Sequence, residues 1–213
     1  MTMSSSPQPP QPLIDRAVVG ARLRASRKLQ RLTLKQLSER CGVALSTLSK
    51  MELGQAAVSY DKLAAAARIL NIDLPQLFTP GEASDGTTQP TVVSTRITDT
   101  MGYGTGSYEY HPLAGDFPRR SMSPLYARIM ARDIGEFDDY IRHPGQEFTV
   151  VLSGRIRILF ENGEQIRLKE RETAYFNSAI GHIYLAEGES DAEVIAVMSE
   201  APAINASTAM GSA

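Results

Sequence analysis

The sequence predicts two domains, an all-α bundle of five short helices followed by an all-β barrel or sandwich. Three observations carry this. From 14 to 79 the chain is rich in Ala, Leu, Lys and Arg and has no proline before Pro75, a helical composition. From about 92 onward, short β-rich runs alternate with turn signals. Between the two lies GEASDGTTQP (81–90), with the composition of a linker. The 213 residues are enough for two small domains, each with its own core. The expected division is a disordered arm over 1–12, a helical domain over 13–79, a linker over 80–97, a β domain over 98–200 and a disordered tail over 201–213.

Charge divides at the same place. The net charge of −2 hides 11 Lys+Arg against 5 Asp+Glu from Leu13 to Pro80, a balance of +6. From Gly81 to Ala213 the counts are 11 and 19, a balance of −8. A basic module joined to an acidic one suggests a polyanion binder carried by something else. Cys41 is the only cysteine, which argues against a disulfide-stapled secreted fold and suits a reducing cytoplasm. No apolar run approaches the roughly 20 residues that span a bilayer, and MTMSSSPQPPQP lacks the charged and apolar regions of a signal peptide. No membrane partner is therefore expected.

The first helix is expected over about 15–30, with Val18, Ala21, Leu23 and Ala25 as its packing face. The second begins at Thr33-Leu34-Lys35-Gln36, a capping box: Thr33 accepts from the Gln36 amide and the Gln36 side chain reaches back. Leu37 faces the core, and Gly42 takes the positive φ of a tight corner. A third helix runs over Leu45–Leu53 with Leu48 and Met51 inward, ended by Gly54. Helices at about 61–70 and 74–78 close the bundle through Leu63, Ala66, Ile69, Leu70, Leu74 and Leu77.

The stretch LTLKQLSERCGVALSTLSKMELG (32–54), followed by DKLAAAARILNIDLPQLF (61–78), resembles the Cro/repressor class of helix-turn-helix domains, the XRE family. The resemblance covers about a third of the chain. It makes 45–53 the recognition helix, which would meet an operator in double-stranded DNA through Leu45, Ser46, Thr47, Ser49 and Lys50. Ser46 and Lys50 are the candidates for base edges, the ammonium suiting guanine O6 and N7, and Leu45 for a thymine methyl. Thr33, Gln36, Thr47 and Ser49 are the candidates for phosphate contacts. The family's capping Ser or Thr is replaced by Ala44, at a cost of about 1 kcal/mol. Leu53 stands where a basic residue is common. Arg27 and Glu52 match positions that form a buried ion pair in this class.

In the β half, runs are expected at Leu125–Met130, Phe148–Leu152, Arg155–Phe160, Thr173–Phe176 and Ala192–Met198. Ser153-Gly154, Glu161-Asn162-Gly163 and Glu187-Gly188 supply turns. Alternation puts Glu147, Thr149 and Val151 on one strand face, and His182 with Tyr184 on another. Two His and one Glu converging in a barrel would form the facial set that holds Fe(II) or a similar ion.

The runs RHPGQEFTVVLSG (142–154) and ETAYFNSAIGHIYLAEG (172–188) resemble the two motifs of the cupin family, a double-stranded β-helix barrel; the likeness covers roughly 98–200. His143, Glu147 and Gly154 match the first motif and His182 the second. Ile141 takes the place of the first motif's usual leading His, and Gly181 that of a frequent Pro. The resemblance thus allows one divalent metal, Fe, Zn, Mn or Ni, on His143, Glu147 and His182, or a barrel that keeps a pocket without metal. Tyr126, Arg128, Phe148 and Tyr184 are the ligand-pocket candidates, with Tyr108 and Tyr110 beside them; an inward Arg would suit a carboxylate.

Together the two resemblances imply a bacterial one-component transcription regulator: a cupin sensor for a small-molecule effector, tied to an operator-binding domain and acting as a homodimer. The alternative they imply is a mononuclear non-haem iron oxygenase or epoxidase of the same layout, using His143, Glu147 and His182.

Overall fold

The computed structural model describes residues 12–72, 74–78, 90–117 and 120–199. The expected arm up to residue 11, linker residues 80–89 and the tail 201–213 lie outside the described residues. The chain forms two compact units, 1–118 and 119–213, taken in turn.

In the first unit, helix α1 (Arg16–Leu29) starts where the Asp15 carboxylate accepts the Ala17 N–H at 2.8 Å. Helix α2 (Leu34–Cys41) carries the expected capping box on Thr33 and Gln36 and ends at Gly42, whose φ of 73° turns the chain. Helix α3 (Leu45–Glu52) follows, then α4 (Tyr60–Ile69). The fifth expected helix is absent as an α-helix. Leu74–Leu77 makes only a 3₁₀ turn, so the described bundle has four α-helices, not five. Four residues close too few i→i−4 bonds to propagate, and Pro75 lacks an N–H to give.

The core comprises Leu23, Leu37, Leu48, Met51, Leu63, Ala66, Leu70, Leu74 and Leu77. Ile69, expected inside, is only half-buried, and Ala67 takes the interior place. Helix α1 is also turned from its expected face: Val19, Gly20, Leu23 and Arg27 are buried, whereas Val18, Ala21 and Ala25 are exposed. The reason is a polar anchor that hydrophobic periodicity does not weigh. Arg27 Nε donates to Glu52 Oε1 at 2.5 Å and Nη2 to Oε2 at 2.7 Å, while Nη1 reaches the Leu32 carbonyl at 2.7 Å. This bidentate pair fixes the phase of α1 against α3.

Gly20 lets the two helices meet. A Cβ there would lie 2.3 Å from the Met51 carbonyl oxygen and 2.8 Å from that of Glu52. Gly20→Ala would gain about 1 kcal/mol of helix propensity. Forcing two helix backbones apart costs about 1–3 kcal/mol, so a net loss of stability is expected in thermal unfolding. An unchanged or raised Tm would refute the close approach.

A hairpin of β1 (Tyr103–Gly104) and β2 (Tyr108–Pro112) completes this unit. The Val58 N–H donates to the Tyr103 hydroxyl at 3.0 Å, and the Tyr103 ring stacks on Phe78. Tyr110 packs against Tyr60 and Tyr108. Both Tyr108 and Tyr110 thus serve this core.

The second unit has two antiparallel sheets. Strands β3 (Met122–Ile129), β9 (Ala192–Ser199), β4 (Gln146–Ser153) and β7 (Thr173–Asn177) lie in that order in one. The other runs β6 (Gln165–Lys169), β5 (Arg155–Phe160), β8 (His182–Ala186). Strand β6 falls outside the expected runs. Its sequence, QIRLK, alternates polar with apolar and pairs with β5 across the Asn162-Gly163 turn.

Candidate functional site

The first candidate surface is the corner formed by α2, Gly42 and α3. Leu48 and Met51 hold the inner side of α3, leaving Leu45, Ser46 and Lys50 exposed and Thr47 and Ser49 half-buried. The first turn of α3 has no side-chain cap, since Ala44 offers none. Thr33 and Gln36 are exposed. Gln36 Oε1 accepts from the Thr33 backbone and hydroxyl at 2.9 and 3.1 Å, which aims its amide NH₂ away from the cap. Leu53 is exposed just beyond the helix.

The second candidate site lies between the two sheets. Glu147 on β4 is 4% exposed and His182 on β8 is 2% exposed, while His143 approaches from the segment before β4. His143 Nε2 lies 2.9 Å from Glu147 Oε2, and His182 Nε2 lies 3.5 Å from the same oxygen. One donor atom from each of the three residues falls within 4.8 Å of the others. The local backbone explains why. The His143 N–H donates to the Ser178 carbonyl, and Ile141, in place of the missing histidine, bridges His182 through its own N–H and C=O.

Gly181, where the family often has proline, donates its N–H to Glu161 Oε1 at 2.8 Å; proline has no N–H to give. A Cβ there would also press on Tyr140 at 2.7 Å. Glu161 in turn accepts from Arg142 Nε at 3.0 Å, so the residues preceding both histidines are tied together.

The donor chemistry suits a cation. His182 Nδ1 lies 2.9 Å from the Ile180 carbonyl, so in the neutral ring that nitrogen carries the proton and Nε2 turns its lone pair to the carboxylate. A lone pair and a carboxylate oxygen facing each other are a place for a cation. Burial pushes the Glu147 carboxyl up, but without a cation and with both imidazoles protonated, their hydrogen bonds and charge outweigh it and hold its pKa at about 2. The other oxygen, Oε1, accepts from the Tyr184 hydroxyl at 2.5 Å.

Ladder register corrects the pocket. Residues directly paired across strands share a face. Glu147 pairs with Met198, Thr149 with Ala196 and Val151 with Val194; in turn Ala196 pairs with Leu125 and Val194 with Ala127. The inner face of β3 is therefore Leu125 and Ala127. Tyr126 and Arg128, paired with Ile195 and Glu193, lie on the opposite face, as does Phe148, paired with Val197. Arg128 is held by Asp191 at 2.7 Å. Of the four pocket candidates only Tyr184 reaches the site. In their place stand Phe176, paired with Glu147 on β7, and Phe160, whose ring packs on Phe176 at 5.1 Å. Phe176 also meets the His182 ring at 5.0 Å. Alternation along β7 could have found Phe176, once its partner strand was known.

Comparison with known proteins agrees with both halves. A helix-turn-helix family model matches residues 23–77 and a cupin domain model matches residues 129–198. No curated protein matches the chain. Among solved structures, an HTH_3 family transcriptional regulator from Vibrio cholerae shares the fold at a TM-score of 0.59 and 18% identity, over 88% of this chain and 97% of that one. Hydroxypropylphosphonic acid epoxidase from S. wedmorenis aligns at a TM-score of 0.44 and 21% identity, over 86% and 98%. No helix among the described residues is long and apolar enough to cross a membrane. The chain therefore carries an XRE-type helix-turn-helix domain over residues 23–77 and a cupin domain over residues 129–198.

Proposed function

We propose that the protein is a DNA-binding transcription regulator of the cytoplasm, a homodimer whose cupin barrel takes up a small-molecule effector. The observation that carries the reading is the exposed, uncapped first turn of α3, with Leu45, Ser46 and Lys50 outward above a buried Leu48 and Met51. A helix offered in this way fits the major groove, and the +6 of the helical half supplies attraction to phosphate. Ser46 and Lys50 then read base edges and Leu45 a thymine methyl, while Thr33, Gln36, Thr47 and Ser49 hold phosphates. Dimerisation would set two such helices one turn of DNA apart, about 34–36 Å. An effector preferring one dimer arrangement shifts operator affinity by the same factor that DNA shifts effector affinity.

In the barrel, His143, Glu147 and His182 would hold one divalent ion, with Fe, Zn, Mn and Ni all compatible with two imidazoles and a carboxylate. Such an ion supplies Lewis acidity and open positions for an effector's oxygen or nitrogen atoms. The chain's own part is to keep the three donors converged and to wall them with Phe160 and Phe176.

Electrophoretic shift against the promoter region of its own gene tests the regulator. Lys50→Ala is expected to weaken specific binding by about 1–3 kcal/mol, and to leave metal uptake unchanged. No specific complex from the wild type at any effector concentration would sink the reading. The same triad supports a second reading, a mononuclear non-haem iron oxygenase. Anaerobic Fe(II) titration tests that second reading in one direction: no iron uptake would sink the oxygenase and leave the DNA-binding reading standing.

A further inference from the structure

We propose that Tyr184 is a positioning residue: its hydroxyl holds Glu147 Oε1 and so makes Glu147 a one-oxygen ligand, keeping coordination positions open on the metal. The inference rests on the reading that His143, Glu147 and His182 bind a divalent ion. Both partners are buried, Tyr184 at 8% exposure and Glu147 at 4%. The hydroxyl donates to Oε1 at 2.5 Å, whereas Oε2 alone faces the two imidazoles, at 2.9 and 3.5 Å. Tyr184 is two residues beyond His182 on β8, so one strand delivers both a ligand and the group that orients the opposing carboxylate. Its backbone is fixed by pairing with Ile158, and Phe176 packs beside its ring.

A free carboxylate oxygen in this closed place would have one route to a partner, which is to swing onto the ion. Three protein atoms would then become four, and a position needed by an effector or substrate would be lost. The phenol prevents this by occupying Oε1 beforehand. It acts through Glu147 and is not itself a ligand.

The test uses the full-length protein, cobalt(II) as the metal and azide as a small competing ligand. Wild-type protein is expected to take up one cobalt and to bind azide, both read from the visible absorption of the ion. Tyr184→Phe should keep cobalt affinity within about threefold, show the weaker bands of a higher coordination number, and lose azide affinity by about tenfold or more. An unchanged spectrum and azide affinity would overturn the proposal. So would a tenfold loss of cobalt with azide affinity intact, which marks a merely structural role. Should the variant not fold, the wild type still decides: zinc-loaded minus metal-free infrared spectra should show the wide carboxylate splitting of one-oxygen binding, and a narrow splitting refutes it. If the wild type takes up no cobalt, the metal reading itself falls and carries this inference with it.

Discussion

Glu52→Ala is expected to lower the stability of the helical domain by about 3–5 kcal/mol and to abolish operator binding with it. The alanine would leave the Arg27 guanidinium, 9% exposed, without the carboxylate that takes both of its forks. Against the roughly 5–15 kcal/mol that typically stabilises a domain, that is a large fraction. The pair also sets the phase of α1 on α3, so the damage is not confined to one contact. Replacing both partners by apolar residues, Arg27→Met with Glu52→Leu, should recover much of the loss, because no charge is then left buried alone. Urea unfolding followed by circular dichroism reads both. A Glu52→Ala domain within about 1 kcal/mol of wild type would mean the pair is dispensable.

The second large effect is on the barrel. Glu147→Gln is expected to weaken divalent-metal binding by more than about 100-fold, since it removes the only anionic donor of the triad and leaves two neutral imidazoles. Calorimetric titration with zinc measures this, and retention of wild-type affinity would exclude the triad as the site. The metal-free protein gives a second readout through pH. The folded carboxyl titrates at about 2 against an ordinary 4.5. Its contribution is therefore fully present above 4.5 and lost as pH falls toward 2. The wild-type barrel should lose stability across that acid window, and the Glu147→Gln variant should lack this part of the decline. Parallel acid profiles for the two would contradict the clamp between the histidines.

Much of the helical half was legible because its signals are local. The Thr33–Gln36 capping box, the Gly42 corner and the inward Leu37, Leu48 and Met51 need only residues within a few positions of one another. The failures there were not local. Which side of α1 turns inward is decided by Glu52, 25 positions away in the chain, and by the backbone that Gly20 lets approach. Leu74–Leu77 read as a helix from composition, yet it is too short to be one.

The β half divides in the same way. Within β4, alternation alone put Glu147, Thr149 and Val151 on one face, but the apolar Phe148 still read as a pocket residue until the structure left it and Leu152 on the other face, each 38% exposed. Within β3 it could not choose, because Leu125, Tyr126 and Ala127 are all buried and both faces read alike. Pairing with β9 decided it, and it sent Arg128 to Asp191 instead of to a ligand.

By itself, then, the sequence determined that a basic helical module precedes an acidic β domain, which helix follows the Gly42 corner with a polar outer side, and which three residues share a ligand-like spacing. Only the tertiary structure decided that those three donors meet around one carboxylate oxygen, that Tyr184 holds the other, and that Phe160 and Phe176 wall the site. Periodicity states which residues of one strand share a face, but convergence depends on register between strands distant in sequence. That register is fixed by backbone hydrogen bonds, which carry no residue identity.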